Sequence, residues 1–235
     1  LGPVWFFVQP VLSSLVYTLI FNAAIDLPMG EAPPLMFYLT GLTLFTYFRD
    51  VFLKTANTFV ANAGIYGKVY FPRVVLPISY AISSLLKLLL MFVAIIGFGV
   101  YYYSQGDLEM NWTLVLIPMY IIILGVLALG LGMILAAMIA KYRDFRHMLE
   151  FSSQILLWAS FVVINVKASI EKGWMSERML DFIFWNPLVP ILEAFKHGAI
   201  GSGYFSWEFI GYSAAFAVVS FVLGLLIFSK REKDF

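Results

Sequence analysis

Apolar residues dominate six stretches of the chain, roughly 3–25, 35–60, 78–103, 113–140, 148–167 and 206–229. Each is close to the 20 or so residues that a helix needs to cross a bilayer. The pattern therefore predicts an all-α polytopic membrane protein with six transmembrane helices. Between the second and third stretches, segment 62–77 reads Asn-Ala-Gly-Ile-Tyr-Gly-Lys-Val-Tyr-Phe-Pro-Arg-Val-Val-Leu-Pro. Gly64 and Gly67 loosen its backbone, and Pro72 and Pro77 forbid one continuous helix through it. Ile65, Tyr66, Val69, Tyr70 and Phe71 place an aromatic, apolar knob outside the membrane, as though a soluble partner grips it there.

Polar positions inside the spans are not scattered. Phe6, Gln9, Ser13 and Tyr17 of the first span fall within roughly 80° on a helical projection. Thr43, Tyr47, Asp50, Lys54 and Asn57 make a second stripe, in which Asp50 and Lys54 have the spacing of an ion pair along one helix. Glu150, Gln154, Trp158, Phe161 and Asn165 make a third in the fifth span. Intramembrane polar groups face protein or a wet cavity. The stripes thus read either as interhelical glue or as the lining of a sugar path, where aromatic rings stack and amides bond hydroxyls. Arg49 and Lys87 are further intramembrane charges, and snorkelling to the nearer surface is the plain alternative for Lys87. In the fourth span Ala128, Gly132, Ala136 and Ala140 recur every four residues, a ridge for close helix packing.

Segment 168–205 is not a simple loop. Ser176 can cap a helix to about Trp185, presenting Met179, Phe182 and Ile183 on one face. Asn186-Pro187 opens a second helix to about Ile200, with Gly198, Gly201 and Gly203 at its end. That helix is too short to cross and carries Pro190, Glu193, Lys196 and His197. It predicts a re-entrant helical hairpin on the outer face, with a surface-lying amphipathic hairpin as the alternative.

Composition agrees: of 235 residues 62% are hydrophobic and 12% charged, against about 25% charged in soluble domains. Charge distribution sets the orientation. Lys54, Lys68, Arg73, Lys141, Arg143, Arg146, Lys230, Arg231 and Lys233 fall on one side, and Lys167, Lys172, Arg178 and Lys196 on the other. The basic side is cytoplasmic, which puts both termini inside. The chain opens at Leu1 within an apolar run lacking the features of a signal peptide, so N-terminal sequence is expected to be missing.

Candidate chemistry is sparse. The chain has no Cys, and His147 and His197 are predicted on opposite sides, so no metal site is expected. Gly64-Ile-Tyr-Gly-Lys68 has the wrong spacing for a phosphate loop, and no catalytic set can be assembled. Nothing points to nucleic acid. Work would have to be driven by an ion gradient or an ATP-hydrolysing partner.

Three motifs in order carry a resemblance: Lys68-Val-Tyr-Phe-Pro-Arg-Val-Val-Leu-Pro77, Tyr142-Arg-Asp144, and Trp185-Asn-Pro-Leu-Val-Pro-Ile-Leu-Glu-Ala-Phe195. With six spans and the opening Leu1-Gly-Pro-Val-Trp5, the whole chain resembles the type-2 ABC transporter permeases that export O-antigen, teichoic acid or capsule, the Wzm, TagG and KpsM relatives. The resemblance implies a coupling helix within 62–73 that docks into an ATPase subunit, with Ile65, Tyr66, Lys68, Tyr70, Phe71, Pro72 and Arg73 as its contacts. It implies two copies of this chain, two ATPase subunits holding ATP and Mg, and a lipid-linked glycan as substrate. The channel would be lined by spans 1 and 5 (Phe6, Gln9, Ser13, Tyr17, Gln154, Trp158, Phe161, Asn165). Gate helices would lie at Ser176–Trp185 and Asn186–Ile200, with Phe182, Trp185, Asn186, Pro187, Pro190 and Glu193 as gate residues. The family's N-terminal interface helix is not present, and Ser160-Phe-Val-Val-Ile164 lacks the proline that commonly ends span 5.

A six-span exporter of drugs or small lipids shares this plan. A membrane enzyme acting on lipid-linked sugars would need a larger outer loop than 168–205, and an ion-coupled carrier would usually show an internal repeat.

Overall fold

The computed structural model describes residues 2–25, 27, 30, 32–66, 72–142 and 144–232, with side chains 2, 3, 23, 24, 65, 66, 177, 231 and 232 left aside. The described residues are helical through most of the apolar stretches. α1 (Gly2–Tyr17) continues as a wider π-type turn through Thr18–Ala24. Pro10 lies inside it, and the Ser14 hydroxyl donates to the Pro10 carbonyl at 2.7 Å. α2 (Pro34–Ala56) starts on a proline, favoured in a first helical turn. Short helices α3 (Thr58–Ala61) and α4 (Ala63–Tyr66) follow, then α5 (Val75–Gln105), which Gly106 ends with φ +83°. A 3₁₀ turn (Trp112–Leu116) leads into α6 (Ile117–Lys141). After α7 (Phe145–Ala159) come α8 (Val166–Glu171), α9 (Glu177–Phe184), α10 (Leu188–Ile200) and α11 (Trp207–Glu232).

α2 is the hub: α1, α5, α6 and α10 all pack on it, and Phe37, Tyr38, Leu44, Phe48 and Val51 are wholly enclosed. Among the described residues, four helical stretches are long and apolar enough to cross a membrane, Val4–Asn22, Val75–Gln105, Trp112–Lys141 and Trp207–Lys230. α2 is diluted by its threonines, tyrosines, Arg49 and Asp50, yet its 23 residues extend about 35 Å. A long helix diluted by polar and charged residues is thus packed on by four others.

The predicted ridge on the fourth span packs as expected. A Cβ on Gly132 would meet Thr55 Cβ at 2.7 Å, and Ala128 and Ala136 are buried beside it. The far side of α6 meets α11 just as closely, since a Cβ on Gly224 would fall 2.5 Å from the Gly130 carbonyl oxygen. Small residues on both faces let α6 sit between α2 and α11 at backbone distance.

The fifth apolar stretch, 148–167, is not one helix. α7 stops at Ala159, Phe161 takes φ +49°, and Asn165 caps α8 by accepting the Ala168 amide at 3.0 Å. Three consecutive β-branched residues, Val162-Val163-Ile164, disfavour helix, and burial of Val162 and Val163 in the core holds the break. Asn186 donates to the Ala159 carbonyl at 3.0 Å and Lys196 to the Val162 carbonyl at 3.2 Å. Backbone acceptors freed by the break therefore find side-chain partners.

The second helix of the hairpin begins one residue later than predicted, at Leu188, whose amide the Asn186 side chain accepts at 3.1 Å. Gly198 lies inside it, where a Cβ would come 2.9 Å from the Leu114 nitrogen, and Gly201 (φ +69°) ends it. Apart from half-buried His197, every residue of α10 is buried.

Candidate functional site

The basic end of the bundle is built by the last turns of α2, by α3 and α4, the start of α5 and the start of α7. Lys68, Tyr70 and Phe71 lie outside the described residues, and of Ile65 and Tyr66 only the backbone is described. Pro72 is exposed and Arg73 half-buried. The connection is tied back to α5, because the Asn62 amide donates to the Tyr80 hydroxyl at 2.8 Å.

The ion pair predicted along α2 does not form. Asp50 instead meets Lys87 of α5 at 2.7 Å, both largely buried, and Lys54 donates to Ser84 at 3.3 Å. Lys87 Nζ also lies 5.4 Å from the Phe6 ring centroid, joining α1 to the pair. Lys87 is therefore neutralised within the bundle rather than snorkelling. Arg49 is half-buried without a side-chain partner among the described residues.

The stripes of the first and fifth stretches both reach the surface of the single chain. Phe6 and Gln9 are exposed and Ser13 half-buried, while Tyr17 stacks on Phe21 at 5.6 Å. Gln154 is exposed, and Trp158, 51% exposed, sets its edge against Phe21 at 5.9 Å. That contact brings the two stripes together. Because α7 ends at Ala159, Phe161 and Asn165 leave the helical face assigned to them. Asn165, 2% exposed, donates to Ser202 at 2.7 Å and borders a polar cavity of about 450 Å³ with Asp107, Glu109, Lys167 and Glu171.

At this opposite end α9 presents Phe182 and Trp185 to the outside, 78% and 73% exposed. Trp112, opening the 3₁₀ turn, and Trp207, opening α11, are exposed with their rings 6.3 Å apart, the placement of an interfacial aromatic belt. Asn186 bonds the broken end of α7, Pro187 is half-buried and Pro190 buried. Glu193 is wholly buried and pairs with Lys196 at 3.1 Å. Lys196 lies 4.1 Å from the Phe37 ring centroid as well. Burial holds the Lys196 pKa below that of a free lysine, only partly opposed by the adjacent Glu193 carboxylate. Sequence reasoning passed over Lys196 as a partner; the signal was its i, i+3 spacing from Glu193 inside an apolar segment.

Along its whole length the chain is similar to polysaccharide-export permeases. The O-antigen export system permease protein RfbA of Klebsiella pneumoniae is 23% identical over 234 residues, 100% of this chain and 86% of that protein. The Myxococcus xanthus RfbA is 27% identical over 236 residues, with the same coverage. The capsule polysaccharide export inner-membrane protein CtrC of Neisseria meningitidis is 21% identical over 243 residues, 99% of this chain and 84% of CtrC. No protein-family model matches. Similarity to permeases over the full chain fits the four long apolar helices.

Proposed function

We propose that this chain is the membrane-spanning subunit of an ATP-driven exporter that moves a lipid-linked polysaccharide across the cytoplasmic membrane. O-antigen is the first candidate cargo, with teichoic acid or capsule next. The observation that carries this reading is the end-to-end match with O-antigen and capsule export permeases.

In this reading the chain crosses six times with both termini in the cytoplasm, two copies enclose the channel, and two ATPase subunits supply ATP and Mg. The chain itself is not the ATPase. Exposure of Gln9 and Gln154 beside Trp158 on the isolated chain supports a path between two copies, because side-chain amides are poorly placed against lipid. Residues 62–73, tied to α5 through Asn62, pass on the motion that nucleotide binding generates in the partner. The buried helix α10 and exposed Phe182 and Trp185 form the outer gate.

The test combines Tyr66→Ala with Phe71→Ala in a cell that depends on this chain for surface glycan. Insertion and copurification of an ATPase are expected to persist while export stops and ATP hydrolysis continues. Normal glycan display by that variant refutes the coupling role, and failure of any ATPase to copurify with the unmodified chain refutes the exporter reading.

A further inference from the structure

A cleft of about 880 Å³ opens at the basic end between α2, α3, α5 and α7, lined by Lys54, Asn57, Tyr80, Arg146, His147 and Glu150. A second hollow of about 560 Å³ continues from it, sharing Lys54 and Ser83, bordered by the paired Asp50 and Lys87 and by Phe6, Leu86 and Leu90. Leu86 is 63% exposed on the flank of α5, so the passage leads from a charged mouth to an apolar wall.

Plain topology marking requires cations only in a connecting loop. Here they border one concavity. The side chains of Arg146 and His147 have no hydrogen-bond or ionic partner among the described residues, and neither has the carboxylate of Glu150. Lys54 is exposed and bonded only to the neutral Ser84 hydroxyl. Lys87 is already neutralised by Asp50 and is not available. Asn57 Oδ1 is buried without a donor. The Tyr80 oxygen accepts from Asn62, which leaves its own proton free to donate.

We propose that this cleft is the loading site for the phosphate-bearing head of a lipid-linked glycan, an inference that rests on the export reading above. Arg146, whose guanidinium suits bidentate contact with phosphate oxygens, takes the phosphate together with His147 and Lys54. Asn57 Oδ1 and Glu150 accept from the hydroxyls of the first sugar. The lipid chain leaves along Phe6, Leu86 and Leu90. An ATPase surface would need no exposed apolar flank such as Phe6, Leu86 and Leu90 beside the cations, which is why a lipid-borne ligand is favoured.

The chain together with its ATPase partner, in phosphatidylcholine nanodiscs with excess ADP and Mg to fill the partner's sites, is titrated with farnesyl diphosphate, inorganic diphosphate and farnesol. Farnesyl diphosphate is expected to bind at least about tenfold tighter than either fragment. Arg146→Gln with His147→Gln should weaken it by about tenfold or more, and Lys54→Gln by several-fold, as loss of charge-assisted bonds requires. Equal affinity in wild type and double variant overturns the site. Equally tight binding of inorganic diphosphate shows a free-anion pocket and overturns the lipid source. Loss of the ATPase with diphosphate binding unchanged makes the cleft a docking surface and likewise overturns it. Binding is read without transport, so failure here leaves the export reading standing, whereas binding without cellular export removes the export reading and with it the loading role, leaving only a lipid-phosphate site.

Discussion

Asp50 of α2 and Lys87 of α5 form a 2.7 Å ion pair between two helices, with 23% and 18% of their side chains exposed. Neither charge could rest in that position alone. Removing one partner leaves the other stranded in surroundings of low polarity, which costs more than the pair contributes.

Asp50→Asn and Lys87→Met should each destabilise the solubilised protein by about 1–3 kcal/mol. The double variant Asp50→Asn with Lys87→Met should recover most of that loss. Thermal unfolding followed by tryptophan fluorescence measures all three, and simple addition of the two losses would show that the residues do not interact.

Lys196→Met should cost more, about 3–5 kcal/mol, because it leaves the Glu193 carboxylate wholly buried and unpaired. The Val162 carbonyl loses its donor in the same step. Glu193→Gln added to Lys196→Met should be milder than Lys196→Met alone. Folded yield and melting temperature in detergent decide the ranking.

Gly224→Leu should separate α6 from α11, since even a Cβ there would lie 2.5 Å from the Gly130 carbonyl oxygen. A loss of about 1–3 kcal/mol is expected from overpacking of this kind. Gly97→Ala has open space and should be neutral or slightly stabilising, because alanine is the better helix former. Equal melting temperatures for the two variants would refute the close approach.

Trp158→Ala removes the ring that meets Phe21 from an exposed face of α7. If that face guides a glycan, export of long chains should slow while the melting temperature changes little. Gel profiles of surface glycan report chain length, and an unchanged profile makes the tryptophan a packing residue.

Helix packing on α6 was legible in the sequence because small residues every four positions leave one physical option. Asp50 was legible as a charge needing a partner, but the local i, i+4 rule chose Lys54. Lys87 stands 37 positions away, and no helical periodicity reports what faces a helix from outside it. Hydropathy merged 148–167 into one span because Val162, Val163 and Ile164 are as apolar as leucine. Their branching and the Asn165 cap, which break the helix, do not register on such a scale. The clustering of Arg146 and His147 with Lys54 depends on how α2 and α7 approach at one end, which appears only in three dimensions.

The burial of α2 bears on how the protein is made. A ribosome delivers Asp50 to the membrane ahead of Lys87, so α2 released by itself into lipid would carry an uncompensated carboxylate. Its compensating charge arrives with α5. Exchanging Asp50 for a neutral residue should therefore let α2 integrate earlier, even as the mature protein becomes weaker.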